Sequence, residues 1–151
     1  MTSLEVATRC GPALVDWTAP GPGAVPFVMA LTHGAGGTVN APDLLAARDA
    51  ATRLGGGVAL VTQPYRVRGG RAPGSAGRQD EAWIEIMSWL RSAGPAAAPG
   101  PARSATWPLI VGGRSNGARV ASRTAETVGA HGVLALAFPL QPPARRARGR
   151  Q

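Results

Sequence analysis

Hydrophobic residues in this chain fall into short continuous runs, which are separated by glycine-rich loops and amphipathic segments. An uninterrupted apolar run is typical of a strand that is buried on both faces of a parallel sheet. From residue 27 onward such runs alternate with helical patterns, which predicts an α/β fold, a mostly parallel sheet with helices on both faces. The four predicted parallel strands cover residues 27–33, 57–63, 107–113 and 132–138. Two β-prone runs nearer the N-terminus, at 4–8 and 13–17, predict an antiparallel hairpin.

Three segments have the apolar spacing of amphipathic helices, at residues 41–55, 80–92 and 116–129. In the first helix, Asn40 is placed to cap the N-terminus and Asp43 favours the positive end of the helix dipole. In the second, Asp80 and Glu81 open the helix and have the same explanation. Residues 94–105 consist mainly of Pro, Ala and Gly and predict a spacer.

A G-x-S-x-G pentapeptide lies between the predicted strand 107–113 and the helix that follows it. In a nucleophile elbow, the serine occupies a sharp turn between a strand and a helix. The flanking glycines, here Gly113 and Gly117, are required because a Cβ would clash where the turn is tight. The helix N-terminus also directs its free N–H groups at developing negative charge. The sequence therefore predicts Ser115 as a nucleophile.

The glycine-rich loop at residues 33–40 also follows a predicted buried strand and precedes a helix. Such a loop can supply a second backbone N–H to an oxyanion hole, so we expect the N–H groups of Ala35 and Asn116 to be the two donors. A dinucleotide-binding fingerprint does not fit, because its third glycine would fall at Val39. The residues that could line a pocket at this sheet edge are His33, Gly34, Tyr65 and Arg114, the last of which could steer an anionic substrate.

Several stretches resemble the small bacterial α/β-hydrolases related to dienelactone hydrolase: "LTHGAGG", "APDLLAARDAA", "VTQPYR", "DEAW", "GGRSNGARVA" and "ALAFPLQPP". They extend over residues 27–143. The resemblance implies an eight-stranded, mostly parallel sheet and a Ser-Asp-His triad with Ser115 at the nucleophile position. The first six strands would then follow the order 1-2-4-3-5-6, and the sixth would be an exposed apolar edge.

In that family the catalytic acid usually follows the seventh strand and the histidine follows the eighth. This sequence continues after its sixth strand only with "FPLQPP" and a tail of Pro, Ala, Arg and Gly. We therefore expect a partial α/β-hydrolase domain at residues 1–141, without its last two strands, acid and base, and a basic disordered tail at residues 142–151. GC-rich DNA read in a shifted frame produces such a tail, so we expect a truncated or frame-shifted product.

The two histidines are the remaining candidates for a base. His131 follows the helix after the elbow, and about 13 residues at 1.5 Å each place it roughly 20 Å from Ser115, at the opposite sheet edge. His33 lies at the same edge as Ser115. A base needs hydrogen-bond reach and an orienting acid, so a role in loop geometry is favoured for His33 over a role in catalysis.

The net charge of +8 has a local origin. Residues 66–78 and 142–151 each carry four Arg and no acid, and the remaining eight Arg balance the eight acids. The basic segments contain no aromatic residue beyond the adjacent Tyr65, which argues against nucleic-acid binding.

The single cysteine excludes an intrachain disulfide. No signal peptide or membrane-length apolar run is visible, so we expect a soluble cytoplasmic protein.

The sequence thus favours a serine hydrolase that acts on a small ester or related acyl substrate, with no metal or cofactor and with an undetermined oligomeric state. The alternative is a non-catalytic binding or interaction protein that keeps an inert elbow. Reaction with a fluorophosphonate separates the two hypotheses, because only an activated serine is labelled.

Overall fold

The computed structural model describes residues 1–21, 25–92 and 107–138. The predicted spacer at residues 94–105 and the predicted tail at 142–151 lie outside these ranges. The strands are β1 (Thr2–Thr8), β2 (Gly11–Thr18), β3 (Val28–Thr32), β4 (Gly57–Thr62), β5 (Leu109–Arg114) and β6 (Gly132–Leu136). The helices are α1 (Pro42–Arg53), α2 (Pro64–Val67), α3 (Ala76–Ser92) and α4 (Asn116–Thr124).

The six strands form one sheet in the order β1-β2-β4-β3-β5-β6. The first two strands form the predicted hairpin, and β2 is antiparallel to β4. The strands β4, β3, β5 and β6 are mutually parallel, with Ala30 of β3 paired to Ala59 on one side and to Val111 on the other. The predicted strand order is confirmed, and so, among the strands of the described ranges, is the position of β6 at an edge.

Helices cover both faces of this sheet. On one face, α1 packs through Leu44 and Ala51 against Leu31, Val58 and Leu60. The opposite face carries the larger cluster, in which α3 and α4 pack on the inner strands. That cluster includes Trp17, Trp83, Ile86, Met87, Leu90, Trp107, Leu109, Val111, Val120 and Ala121.

Four details differ from the sequence prediction. The N-cap of α1 is Ala41 and makes no side-chain cap bond, so Asn40 does not cap the helix. Helix α3 begins at Ala76, which places Asp80 and Glu81 beyond its first turn. Helix α4 ends at Thr124 rather than at residue 129, and the short helix α2 was not predicted.

The β6 edge exposes apolar side chains, among them Val133 at 44% and the following Phe138 at 40% exposure. An edge strand of this kind carries unpaired backbone groups on its outer side. None of the helices in the described ranges has the length and apolar character needed to cross a membrane.

Candidate active site at the turn between β5 and α4

Ser115 joins β5 directly to α4 in a backbone conformation that L-residues rarely adopt. Its φ is 53° and its ψ is −111°. A non-glycine residue in such a conformation costs roughly 1–3 kcal/mol and persists only where the surroundings impose it. Here the Ser115 N–H donates to the Leu136 carbonyl at 2.8 Å, and the Ser115 carbonyl accepts from Arg119 N–H at 3.2 Å. Strand β6 and helix α4 therefore both hold the strained turn at Ser115.

Both glycines of the pentapeptide lie so close to the end of β3 that a side chain would not fit. A Cβ atom on Gly113 would lie 2.5 Å from the Thr32 carbonyl oxygen. On Gly117 it would lie 2.6 Å from that same oxygen and 2.7 Å from the His33 carbonyl oxygen. These obstacles are backbone atoms, which cannot rotate away. The two glycines thus allow β3 and the first turn of α4 to approach closely, and this contact brings the loop after β3 to Ser115.

The loop after β3 touches the elbow at Gly34. A Cβ on Gly34 would lie 3.6 Å from both Ser115 Cβ and the Arg114 carbonyl oxygen. The next residue is Ala35, and Asn116 is the first residue of α4, so its N–H has no acceptor within the helix. The two predicted oxyanion donors therefore belong to segments that meet at Ser115, while their role as donors stays a prediction.

Buried side chains hold the loop after β3 in place. His33 is 0% exposed; its Nδ1 donates to the Gly34 carbonyl at 2.8 Å, and its Nε2 accepts from Gln63 N–H at 3.0 Å. Burial lowers the pKa of His33, with Arg66 acting in the same direction and the Gly34 hydrogen bond opposing it. Both ring nitrogens are engaged, which favours the loop-geometry interpretation of His33 over a role as base.

Tyr65 braces the same loop from α2. Its hydroxyl donates to the Ala35 carbonyl at 2.9 Å, and its ring meets the His33 ring edge-on at a centroid distance of 5.7 Å. Burial raises the pKa of Tyr65, against the effects of Arg66 and Asn116. Arg66 donates from Nε to the Gly37 carbonyl at 2.8 Å. Tyr65 thus contacts the backbone of a predicted oxyanion donor.

The side chain of Asn116 is fixed to α3 through Gln79, a residue that the sequence did not single out. Asn116 Nδ2 donates to Gln79 Oε1 at 2.7 Å, and Gln79 Nε2 faces the carbonyls of Gly74 and Ser75 at 3.4 and 3.3 Å. Gln79 is buried, four residues before Trp83 on the apolar side of α3. A polar residue in register with an apolar stripe is the signal that could have identified it.

Arg114 and His131 have structural partners of their own. Arg114 Nε lies 3.1 Å from Asp43 Oδ2, so the predicted anion-steering residue forms an ion pair with the first turn of α1. His131 lies at the other end of β5. Its backbone N–H donates to the Leu109 carbonyl at 2.7 Å, and its ring Nδ1 accepts from the Leu109 N–H at 3.3 Å. His131 is therefore at the sheet edge opposite Ser115, as expected.

Metal-binding residues do not converge within the described ranges, where no group of three His, Cys, Asp or Glu side chains could hold a metal ion. The groups that do converge there are the Ser115 hydroxyl, the backbone N–H groups at its turn and the backbone of the loop after β3.

Comparison with protein families gives one match that covers most of the chain. A family model described as "Alpha/beta hydrolase domain" matches residues 26–151. Comparison with curated protein sequences finds no significant match.

Solved structures share the fold. A serine hydrolase of the α/β class without a lid, from Xanthomonas campestris, superposes with a TM-score of 0.70 at 23% identity, over 95% of this chain and 67% of its own. A serine hydrolase homologue from Coxiella burnetii superposes with a TM-score of 0.72 at 15% identity, over 97% of this chain and 67% of its own. An esterase from Pyrobaculum calidifontis superposes with a TM-score of 0.60 at 20% identity, over 85% of this chain and 40% of its own. This chain thus spans about two thirds of the length of the first two.

Proposed function

Since this chain belongs to the alpha/beta hydrolase family, we propose that it is a serine hydrolase-like protein that acts on a small ester or related acyl bond through Ser115. The observation that carries the proposal is the strained Ser115 backbone, at φ 53° and ψ −111°, against the loop that begins at His33. Backbone strain of this kind concentrates at active sites, where it presents a side chain that ordinary turn geometry would not expose. A cytoplasmic location and a likeness to dienelactone hydrolase in particular are further parts of the proposal.

In the proposed reaction, Ser115 Oγ attacks the acyl carbonyl carbon and the carbonyl oxygen gains negative charge. The N–H groups of Ala35 and Asn116 donate to that oxygen, and the N-terminus of α4 adds its positive potential. The hydrogen bond from Tyr65 to the Ala35 carbonyl fixes the backbone of the first donor. The loss of one oxyanion donor typically costs about 10²–10³ in rate.

The proton of Ser115 requires a base, and the sequence has two histidines. His33 uses both ring nitrogens on backbone groups, and His131 accepts from Leu109 at the opposite sheet edge. We therefore propose that this chain supplies neither the base nor the acid of a triad. The Ser115 proton would then pass to solvent water, and the tetrahedral intermediate would expel the alcohol of the ester. Acylation would depend on the oxyanion donors and on substrate binding, which leaves weak catalysis.

Labelling with a fluorophosphonate tests the proposal. We expect slow, stoichiometric modification of Ser115, located by tandem mass spectrometry and absent in Ser115→Ala. Ser88→Ala, which removes an exposed serine on α3, is the matched control and should be labelled like the wild type. Labelling of Ser115 no faster than that of surface serines would overturn the proposal.

The second candidate function is a non-catalytic binding or interaction protein. The engagement of both histidines favours it, because an elbow without a base loses most of the reactivity of its serine. Under this hypothesis the fluorophosphonate leaves Ser115 unmodified while the protein stays folded. The labelling experiment therefore separates the two candidates directly.

A further inference from the structure

A concave site lies beside the active-site turn, on the side of Tyr65 and Gln79. It is a small, open cleft with an accessible volume of about 30 Å³, between the β1–β2 turn, α2 and the start of α3. The described residues that line it include no acid. They are Cys10, Gln63, Pro64, Tyr65, Arg68, Pro73, Arg78, Gln79 and Ala82.

The positive charge in this cleft is not neutralised by neighbouring carboxylates. Arg68 donates from Nη1 to the Cys10 carbonyl at 2.6 Å, which fixes its position without cancelling its charge. Within the described part of the chain, the Arg78 guanidinium has no hydrogen bond or ion pair.

The acids nearby on α3 are paired elsewhere. Asp80 binds Arg123 at 2.9 Å, and Arg9 binds both Glu81 at 3.3 Å and Glu85 at 3.4 Å. The first turn of α3, to which Arg78 belongs, adds the positive end of the helix dipole.

The polar groups of the cleft other than the guanidiniums are already used. The Tyr65 hydroxyl binds the Ala35 carbonyl, and the Gln79 amide binds Asn116 and backbone carbonyls. Gln63 Nε2 faces the Thr32 hydroxyl at 3.4 Å, so the charged donors left for a ligand are guanidinium N–H groups. A guanidinium offers a planar fork of donors that matches the paired oxygens of a carboxylate or a phosphate.

We propose that this cleft binds a small molecule through an oxyanion group, a carboxylate or phosphate, held by Arg78 with Arg68 beside it. Ser115 is not among the described residues that line the cleft, and the inference does not rest on the proposed hydrolase activity. A cleft of this size has room for the oxyanion group of a ligand rather than for a whole metabolite, and its walls focus the positive potential on that group.

Cys10 provides the test, because it lines the cleft and is the one cysteine of the sequence. Its Sγ lies 3.4 Å from the Arg78 carbonyl oxygen. Alkylation rates are measured with anionic iodoacetate and with neutral iodoacetamide. The same Cys10 thiolate attacks both reagents and displaces iodide, so the ratio of the two rates reports the local potential independently of the thiolate fraction.

We expect Arg78→Gln to lower the iodoacetate-to-iodoacetamide ratio by about tenfold at low ionic strength, the lower end of electrostatic steering effects. Arg78→Lys keeps the charge and should retain most of the ratio. Arg53→Gln makes the same change of net charge on α1, across the sheet, and should leave the ratio unchanged.

In the second arm, inorganic phosphate and acetate compete with alkylation by iodoacetamide, with sodium chloride at matched ionic strength as the control. Saturable protection by phosphate assigns the site to phosphate-bearing ligands, and protection by acetate assigns it to carboxylates. The proposal requires both a ratio that depends on Arg78 and protection by one of the two anions. Failure of either result overturns it.

Discussion

The ring of His33 and the backbone of Gln63 are joined by a 3.0 Å hydrogen bond, in which the Gln63 N–H donates to His33 Nε2. The other ring nitrogen, Nδ1, donates to the Gly34 carbonyl at 2.8 Å. Protonation of Nε2 would remove its acceptor lone pair and leave the buried Gln63 N–H without a partner. The neutral ring of His33 is therefore part of the folded structure, and it ties the end of β4 to the loop beside Ser115.

This arrangement predicts a specific loss of stability at mildly acidic pH. The pKa of His33 is lowered by burial, from an ordinary value of 6.5, so between the two values the unfolded chain binds more protons than the folded one. The stabilisation from the neutral ring is complete above about pH 6.5 and is lost as the pH falls below it, by at most about 1.4 kcal/mol per pH unit.

Denaturant unfolding between pH 5 and 7.5 measures this effect. His33→Gln removes the titrating ring, and its free energy of unfolding should depend less on pH in this window than that of the wild type. His131→Gln removes the other histidine and should keep the pH dependence. Equal slopes for His33→Gln and the wild type would contradict the structural role of the neutral His33 ring.

Two Gly→Ala substitutions in helices should change stability in opposite directions. At Gly77 in α3, an added Cβ meets nothing within 4 Å, and the higher helix propensity of Ala should stabilise the protein by about 0.5–1 kcal/mol. At Gly117 in α4, the added Cβ would lie 2.6 Å from the Thr32 carbonyl oxygen. Overpacking against this backbone atom should destabilise the protein by about 2–3 kcal/mol or more. Thermal and denaturant unfolding of the two variants measure the difference. A stabilised Gly117→Ala would show that β3 does not lie against the elbow as described.

The ion pair between Asp80 and Arg123 should contribute measurably to the packing of α3 on α4. Arg123 Nε lies 3.1 and 3.0 Å from the two carboxylate oxygens, and the side chains of Asp80 and Arg123 are 22% and 36% exposed. A double-mutant cycle with Asp80→Asn and Arg123→Gln should give a coupling energy of about 0.5–1 kcal/mol, at the upper end for such pairs.

The control cycle uses Arg9 and Glu81, whose side chains are 81% and 43% exposed. Its coupling should lie near the lower limit of about 0.2 kcal/mol. A larger coupling for the control than for Asp80 with Arg123 would show that bidentate geometry and partial burial do not strengthen the α3–α4 ion pair.

Tyr65→Phe should slow the reaction of Ser115 with a fluorophosphonate. The variant loses the hydrogen bond to the Ala35 carbonyl, worth about 1 kcal/mol, and a barrier higher by that amount corresponds to about fivefold in rate. Thr124→Val is the matched control, because it removes a buried 2.8 Å hydroxyl bond to Val120 at the far end of α4. The control should lose stability without losing reactivity. Equal labelling rates for Tyr65→Phe and the wild type would exclude a positioning role for Tyr65.

The inner strands could be predicted because each is a continuous apolar run, whereas their order was implied by the resemblance to α/β-hydrolases. Helix α2 could not be predicted, since its four residues, Pro64–Val67, are too short for a periodic signal and stand within an arginine-rich segment. The early start of α3 was missed for a related reason: its first turn, from Ala76, carries no large apolar residue and is exposed apart from Gln79.

The partners of the site residues were harder to predict than the residues themselves. Gln63 acts through its backbone N–H, so its side-chain type carries no signal for the bond to His33. The pairing of Arg114 with Asp43 joins residues 71 positions apart, which only the sheet topology brings together. Local sequence could assign Asp43 to the first turn of α1, but not its partner.

The most direct test of Ser115 as a nucleophile is incubation of the chain with p-nitrophenyl acetate, followed by mass spectrometry and by measurement of p-nitrophenol release. We expect one acetyl group, located on Ser115 and missing from Ser115→Ala, with turnover far below the typical enzymatic rate of about 10 s⁻¹. Absence of acetylation at Ser115, or equal acetylation of the Ala variant elsewhere in the chain, would contradict the nucleophile assignment. Turnover at ordinary enzyme rates that Ser115→Ala abolishes would contradict the absence of a base and would return His33 to consideration.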